Sequence, residues 1–284
     1  MPLTAKEIID SVGGLVSLPE ACLKINALLD DPETTADDLG RVISHDPALT
    51  VRMLHIANSA FYGLSAKVDN VSKAVRVIGM QKIRDLVLAS SAIKAFDGLP
   101  NDLVTLENFW VHSIYCGLIA KGLAAKHRQL SIETLFTAGM LHDIGQLVIF
   151  NKLPEQSRKI LTMGIDDPGE PELYSLERDL IGFDHCEVGG ELARKWKLPE
   201  LLQECIKFHH EPDRAQAFPL EVAIVYVANQ LAVMAEINSS SLDDTHEILP
   251  SAIETIGVSP EDFIPIIEEA KSQFIDMKSA LLSN

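Results

Sequence analysis

Apolar residues recur at spacings of three and four along most of the chain, and this periodicity limits the possible folds more than any other feature. Leu23, Ala27 and Leu28 show the spacing near the N-terminus. Side chains spaced in this way lie on one face of a helix. No convincing alternating run of four to eight residues is joined to a second one by a hairpin turn. The pattern therefore predicts an all-α fold.

Residues that favour helix N-termini stand at several places along the chain. Ser, Thr and Asp accept hydrogen bonds from the first free N–H groups of a helix, and Pro fits its first turn. Helix starts are predicted at Pro19, Thr35, Asp46, Ser131 and Ser259. The chain is thus expected to form a series of helices rather than a few long ones.

The clearest break in this pattern is the segment Asp97–Asp102, which contains Gly, Pro and polar residues. We therefore predict an N-terminal helical subdomain over residues 1–97 and a helical core over residues 98–238. A third region, residues 239–284, carries nine acidic residues against two lysines from Asp243 onwards. We expect it to be a helical extension packed on the core, with its acids on a solvated face.

Charge and hydropathy exclude several functional classes. The 284 residues include 41 acidic and 24 basic ones, a formal net charge of -17, so general nucleic-acid binding and attraction to anionic membranes are disfavoured. The longest stretch without a charged side chain, Val222–Ala235, is shorter than the ~20 apolar residues that cross a bilayer. With no secretory signal pattern at the N-terminus and four scattered cysteines, we expect a cytoplasmic protein without membrane insertion or disulfides.

A His-Asp pair, His142 and Asp143, lies within what reads as an apolar helix. An unpaired carboxylate is expensive to bury, so some group must compensate Asp143. A divalent cation would do so, since His nitrogen and Asp oxygen both ligate zinc, iron and manganese. A Lys, an Arg or a backbone cap is the structural alternative.

The pair alone is a weak signal, but further histidines accompany it. Each lies at a predicted helix position or helix end, and all fall within one hundred residues: His112, His142, His185, His209 and His210. Cys186, next to His185, is a candidate soft ligand, although a small buried residue is the commoner outcome for a cysteine.

The order His112, His142-Asp143, His185, His209-His210 resembles the ligand order of the HD superfamily of metal-dependent phosphohydrolases, especially its HD-GYP branch. The first part of the chain resembles the N-terminal part of the HDOD family, the HD-related output domains of bacterial signalling. Four motifs carry that second resemblance: Leu15–Pro19, His45–Leu49, Asn58–Gly63 and Val77–Gly79. Because several separated motifs follow in the right order, the chain is identified as a member of HDOD from about Ile8 to about Ala235.

The resemblance implies an HD-like helical bundle preceded by a smaller helical subdomain, with one or two divalent ions of Fe, Mn or Zn. One ion would lie among His112, His142, Asp143 and residue 229. The other would lie among Asp143, His185, His209 and His210, with Asp143 bridging the two. Such a pair could activate water for hydrolysis.

Three departures from the superfamily pattern argue against catalysis. Asn229 stands where the last Asp ligand is expected and offers only a neutral oxygen. Gln146 stands where HD-GYP enzymes carry a Lys that pairs with phosphate, and no Gly-Tyr-Pro motif follows His210. A cyclic-dinucleotide phosphodiesterase is therefore not expected.

Two functions remain as hypotheses. The favoured one is a signal-transduction output module that acts through signalling or regulatory proteins, with or without bound metal, and for which an oligomer is open. The alternative is a phosphohydrolase that acts on a nucleotide or another phosphoester through Asp143, His185, His209 and His210.

Overall fold

Helices form the regular structure of the chain. In the computed structural model, residues 3–12, 16–29, 31–97, 103–166, 173–238 and 248–282 are described, and none of them lies in a strand. The all-α prediction is confirmed. None of these helices combines the length and the apolar character needed to span a bilayer.

The first six helices precede the break after Phe96: α1 (Ala5–Val12), α2 (Glu20–Leu29), α3 (Ala36–Ser44), α4 (Pro47–Asn58), α5 (Val71–Ile78) and α6 (Met80–Phe96). The next eight span the part of the chain that contains the candidate ligands: α7 (Leu106–Ala124), α8 (Ile132–Leu141), α9 (Ile144–Lys152), α10 (Pro154–Asp166), α11 (Leu173–Ile181), α12 (His185–Lys195), α13 (Glu200–Phe208) and α14 (Pro219–Glu236). Helices α15 (Pro250–Ile256) and α16 (Phe263–Leu282) follow.

The predicted helix starts coincide with the observed ones. Thr35 and Asp38 form a reciprocal capping box at α3, and the Asp46 carboxylate accepts the Leu49 N–H (3.0 Å) at α4. Caps of this kind stabilise a helix by about 1 kcal/mol each. All five predicted positions directly precede a helical element: Pro19, Thr35, Asp46, Ser131 and Ser259.

Helix α7 is the centre of the molecule and packs against α8, α14 and α16. Its contact with α8 is close, because a Cβ added at Gly139 would lie 2.8 Å from the Cα of Gly117. Only glycine at these two positions allows that approach. Since α7 is covered on several sides, the residues that it presents, His112 among them, are held in fixed positions.

The N-terminal helices share one continuous apolar core with the rest of the chain. Polar contacts reinforce the junction, since Thr134 donates to the buried Asp85 carboxylate (2.6 Å) and Lys121 Nζ donates to the Phe61 carbonyl (3.0 Å). The predicted boundaries before residues 98 and 239 adjoin residues 98–102 and 239–247, which lie outside the described residues. The division into three regions stays a prediction.

Candidate metal site

The candidate ligands come from five places in the fold. His112 lies in the second turn of α7, His142 and Asp143 join α8 to α9, and His185 is the first residue of α12. His209 and His210 follow directly after α13. The fold brings these residues and Asn229 of α14 together around the Asp143 carboxylate.

His142 and Asp143 interrupt the helical pattern, contrary to the prediction that they lie inside one helix. Helix α8 ends at Leu141 and α9 begins at Ile144. Gly145, in the first turn of α9, lies against α12, where an added Cβ would be 1.9 Å from the His185 carbonyl oxygen. Helix α9 therefore packs directly against α12, the helix that begins at His185.

Three donor atoms, from Asp143, His185 and His209, converge in a triangle. We call these three residues and His210 the inner site. Asp143 Oδ1 lies 3.3 Å from His185 Nε2 and 3.2 Å from His209 Nε2, and these two nitrogens are 3.4 Å apart. Ligands at the ~2.0–2.1 Å distances typical of tetrahedral zinc are separated by about 3.4 Å. The spacing thus suits a shared divalent cation.

Second interactions turn both histidines toward this triangle. His185 Nδ1 donates to the buried Glu177 carboxylate (2.7 Å), which also accepts the His185 backbone N–H (2.8 Å). His209 Nδ1 donates to the Ile206 carbonyl (2.9 Å). Partners of this kind fix the tautomer, so that Nε2 of each ring is left for a metal.

Two atoms at the centre are buried without a hydrogen bond. These are His142 Nε2 and Asp143 Oδ1, although His142 Nδ1 donates to the Gly139 carbonyl (2.7 Å). Leaving buried polar atoms unsatisfied costs about 1–3 kcal/mol each. A cation in the inner site would remove that cost for Asp143 Oδ1, so the donor set there fits a metal.

The second half of the cluster, which we call the outer site, consists of His112, His142, Asp143 Oδ2 and Asn229. His142 Nε2 lies 3.2 Å from Asp143 Oδ2. Both nitrogens of His112 are already bonded, Nε2 to the Asn229 side-chain amide (2.9 Å) and Nδ1 to the Glu236 carboxylate. A metal here would have to replace the bond between His112 and Asn229.

Charge at the centre is concentrated on Asp143. Burial would raise the pKa of Asp143, but the adjacent His142, His185 and His209 hold it well below its usual range. Burial lowers the pKa of both His142 and His209. Asp143 and Cys116 outweigh that effect at His142 and raise its pKa to about 9, and Cys186 and Asp143 outweigh it at His209 and raise its pKa to about 10. Protons and a metal therefore compete for the same nitrogens.

The pKa values of His185 and His210 are shifted in opposite directions. Burial opposes protonation of His185, but the Glu177 carboxylate raises its pKa well above the usual range. Burial and the neighbouring His209 and His185 lower the pKa of His210 far below its usual range. His210 is thus neutral, the form that ligates a metal.

At the edge of the inner site beside His210, the cationic side chain of Arg178 is already paired with carboxylates. The His210 ring stacks on Tyr174 (4.7 Å between centroids), and the Arg178 guanidinium lies over Tyr174. Arg178 is bonded to Asp184 (2.6 Å) and to Glu211. Its charge is balanced by these two carboxylates.

Cys186 lies at the inner site as well. Its sulfur is 3.9 Å from His209 Nδ1 and 3.8 Å from His209 Nε2, and Cys186 forms a group of possible ligands with His185, His209 and His210. The side chain is buried, so the geometry suits both sequence interpretations, a soft ligand and a small buried residue.

Two carboxylates that sequence reasoning missed contact the histidines directly: Glu177 and Glu236. Glu177 lies eight residues before His185, and no local pattern pairs them. Glu236 lies two helical turns after Asn229 on α14, which places both on one face. That spacing could have pointed to Glu236 once Asn229 was singled out.

Known proteins resemble this chain over most of its length. A candidate phosphohydrolase from Shewanella amazonensis SB2B is 28% identical, with a TM-score of 0.76 over 96% of this chain and 97% of that one. An HDOD domain protein of unknown function from Geobacter sulfurreducens is 26% identical, with a TM-score of 0.75 over 98% and 96% of the two chains.

A longer relative is an uncharacterized protein of Treponema pallidum, 27% identical over 227 residues. The match covers 79% of this chain and 43% of that protein, so the chain spans less than half the length of this curated relative. The model of the HDOD domain matches residues 15–212. The chain therefore belongs to the HDOD domain family.

Proposed function

We propose that the protein is a bacterial signalling output module that binds one divalent metal in the inner site and acts in the cytoplasm through protein partners. The observation that supports this most is the state of His112, whose two nitrogens are bonded to Asn229 and Glu236. The outer site is closed by these bonds, so the pair of metals that the HD-type pattern implies would not form.

The inner site would hold its metal through Asp143, His185, His209 and His210. One carboxylate and three imidazoles suit zinc, iron or manganese, and the tetrahedral spacing favours zinc. A metal held there would act as a Lewis acid on a bound oxygen. In a module without turnover, it would instead cross-link α9, α12 and α13 and so stabilise the surface offered to a partner.

Electrostatics argue against an anionic substrate. A phosphoester needs positive groups aimed at its oxygens. Gln146, in the first turn of α9, is neutral, and Arg178 is engaged by Asp184 and Glu211. With a net charge of -17, the chain attracts anions poorly, and a protein partner is the better-supported ligand.

A second candidate function is hydrolysis of a nucleotide or another phosphoester. The donor set of the inner site favours it, because three imidazole nitrogens and a carboxylate with no hydrogen bond on Oδ1 could hold a metal that activates water. The likeness to a candidate phosphohydrolase from Shewanella amazonensis points the same way.

Metal content and turnover measured on one preparation separate the two functions. The protein is purified without added metal, its metals are counted, and a panel of phosphoesters is assayed. We expect one metal per chain and no turnover above that of an Asp143→Asn control. Two metals together with turnover that the control lacks would overturn the module and support the hydrolase.

The partner is sought by affinity capture from the native host. Wild-type bait is compared with Asp143→Asn bait at equal amounts. We expect at least one protein that is retained by the wild type and reduced with the variant, since the metal stabilises the surface. Identical captures would contradict a role for the metal in partner binding.

A further inference from the structure

A cleft of about 520 Å³ lies where α4, α6 and α16 meet the first turns of α7. Clefts of about 300–1,000 Å³ are the size that small-molecule ligands occupy in proteins. None of the proposed metal ligands lines this cleft.

One part of the cleft is apolar. Trp110 and Leu281 are buried in its wall, and Ile275, which is 69% exposed, stands at the edge. Partly buried aliphatic side chains complete this part: Ile93, Leu106 and Leu282. Apolar surface of this kind favours a hydrocarbon chain or ring over water.

The remaining wall carries positive charge, which is unusual for so acidic a chain. Three of its charged side chains are basic, against the acids Asp97 and Glu107. Lys278 is paired with Glu107 (2.7 Å), and Lys94 makes only a long contact with Asp46 (3.5 Å). Arg52 has no ion pair or hydrogen bond within the described ranges, so its guanidinium is available to a ligand.

A small pocket below Arg52 points to the same ligand chemistry. It has a volume of about 10 Å³, shares Arg52 and Lys94 with the large cleft and is also lined by Asp46, the distant partner of Lys94. Ser90 also lines it, and the fully buried Ser90 hydroxyl has no hydrogen-bond partner. A volume of this order holds one oxygen-sized group. An oxygen of an anionic headgroup would satisfy Ser90 while it faces Arg52.

A second large cleft lacks this combination. Its three arginines are matched by nearby glutamates, Arg178 and Arg214 by Glu211 and Arg194 by Glu191. Its lining offers no cluster of aliphatic side chains to hold an apolar body. It therefore favours water and salt over an amphiphile.

We propose that the cleft between α4, α6, α7 and α16 binds a small amphiphilic anion. The headgroup lies at Arg52 and Lys94 with one oxygen toward Ser90, and the apolar body lies against Ile93, Leu106 and Trp110. Because these helices come from the first, middle and last parts of the chain, the ligand links all three. Trp110 lies two residues before His112 on α7, so a ligand in the cleft also contacts α7 close to the outer site.

Calorimetric titration with decanoate, with decanol as its neutral counterpart, tests this proposal on the full chain. Wild type is expected to bind decanoate more tightly than decanol. Arg52→Gln should weaken decanoate binding by about tenfold, the usual effect of losing a charge-assisted hydrogen bond, and leave decanol binding unchanged. Arg128→Gln removes the same charge at an exposed position away from the cleft, and should match the wild type.

A second variant fills the cleft from the surface. Ser279 is exposed on α16 and lines the cleft, so Ser279→Trp should abolish binding of both probes without disturbing the core. Failure of decanoate to bind the wild type would overturn the proposal. Equal decanoate affinity of the wild type and Arg52→Gln, or undiminished binding by Ser279→Trp, would overturn it as well.

Discussion

The inner and outer sites share Asp143 and lie side by side, yet their histidines are used differently. In the inner site, His185 and His209 each bond through Nδ1 to a group outside the site, and both Nε2 atoms face Asp143 Oδ1 at 3.2–3.3 Å. In the outer site, His112 also bonds through Nδ1, to Glu236, but its Nε2 is bonded to the Asn229 amide.

The difference teaches that a set of histidines is not sufficient to define two metal positions. Orienting carboxylates are present on both sides, Glu177 for the inner site and Glu236 for the outer one. What differs is the residue at position 229. Its neutral amide bonds to His112, whereas a carboxylate at that position would add negative charge that favours a metal. One residue, Asn229, separates an open site from a closed one.

The largest expected effect comes from the residue that the two sites share. Asp143→Asn removes the only carboxylate among the proposed ligands and should reduce bound metal to background. It also leaves His142 and His209 buried without their counter-charge, which lowers stability by about 3–5 kcal/mol. Elemental analysis and thermal unfolding check the two effects.

The matched control is Asp179→Asn, on the exposed face of α11. This variant removes the same charge outside the two sites, so its metal content and stability should equal those of the wild type. If Asp143→Asn retained a full complement of metal, the inner site would not be the binding site.

The second expected effect is a steep pH dependence of metal affinity. Without metal, the ligand His209 is protonated up to a pKa of about 10, and the pKa of the ligand His185 is raised well above its usual range, so binding at neutral pH displaces up to two protons. Affinity should rise with pH by up to about 100-fold per unit at neutral pH and level off as the pH passes the raised pKa values of these two histidines.

The stability of the metal-free chain should move in the opposite direction. Because the folded-state pKa values of His142 and His209 are raised above the unfolded ones, their protons stabilise the fold fully below about pH 6.5. That contribution is lost as the pH rises through about 9 and about 10. Chemical denaturation at pH 7 and pH 10 measures it, and an unchanged midpoint would argue against protonated histidines at the centre.

A pair of variants compares the two orienting carboxylates. Glu177→Gln should weaken metal binding by about 10–100-fold, the usual effect of losing a carboxylate that orients a ligating histidine. Glu236→Gln changes the same group beside His112 and should alter affinity by less than about twofold, because the outer site holds no metal. Equal losses in the two variants, measured by competition with a chelating dye, would show that His112 is a ligand too.

The smallest expected change is a gain. Asn229→Asp supplies the missing carboxylate and should let a second metal bind, more weakly than the first by about tenfold or more. Burial lowers the pKa of His112, but Glu236 outweighs that effect and raises it, so a proton competes with the metal for this ring. A titration that shows two steps in the variant and one in the wild type checks this. A variant that still binds one metal would contradict the proposed geometry of the outer site.

Much of the fold was predictable because its signals are local. The spacing of apolar residues, the capping box at Thr35 and the cap at Asp46 involve residues within four positions of each other. Local chemistry was a poorer guide at His142 and Asp143, which the pattern placed inside a helix. One helix ends before this pair and another begins after it, where Gly145 lies against His185, forty residues away. No short window of sequence contains both residues.

The grouping of the histidines was anticipated from the HD-type order rather than from their chemistry, and their role as ligands stays a prediction. Their orienting groups could not be foreseen, because Glu236 reaches His112 across 124 positions. The positive cleft was equally hidden, since Arg52, Lys94 and Lys278 are separated by long stretches of an acidic sequence.

The number of metal ions per chain tests the central claim most directly. Wild-type protein is equilibrated with zinc, iron or manganese at neutral pH, freed of loosely bound ions and analysed for metal and protein together. The open inner site and the closed outer site predict one ion per chain. A ratio near two would show that Asn229 and Glu236 do not close the outer site, and a ratio near zero would show that the inner histidines serve only the packing of the core.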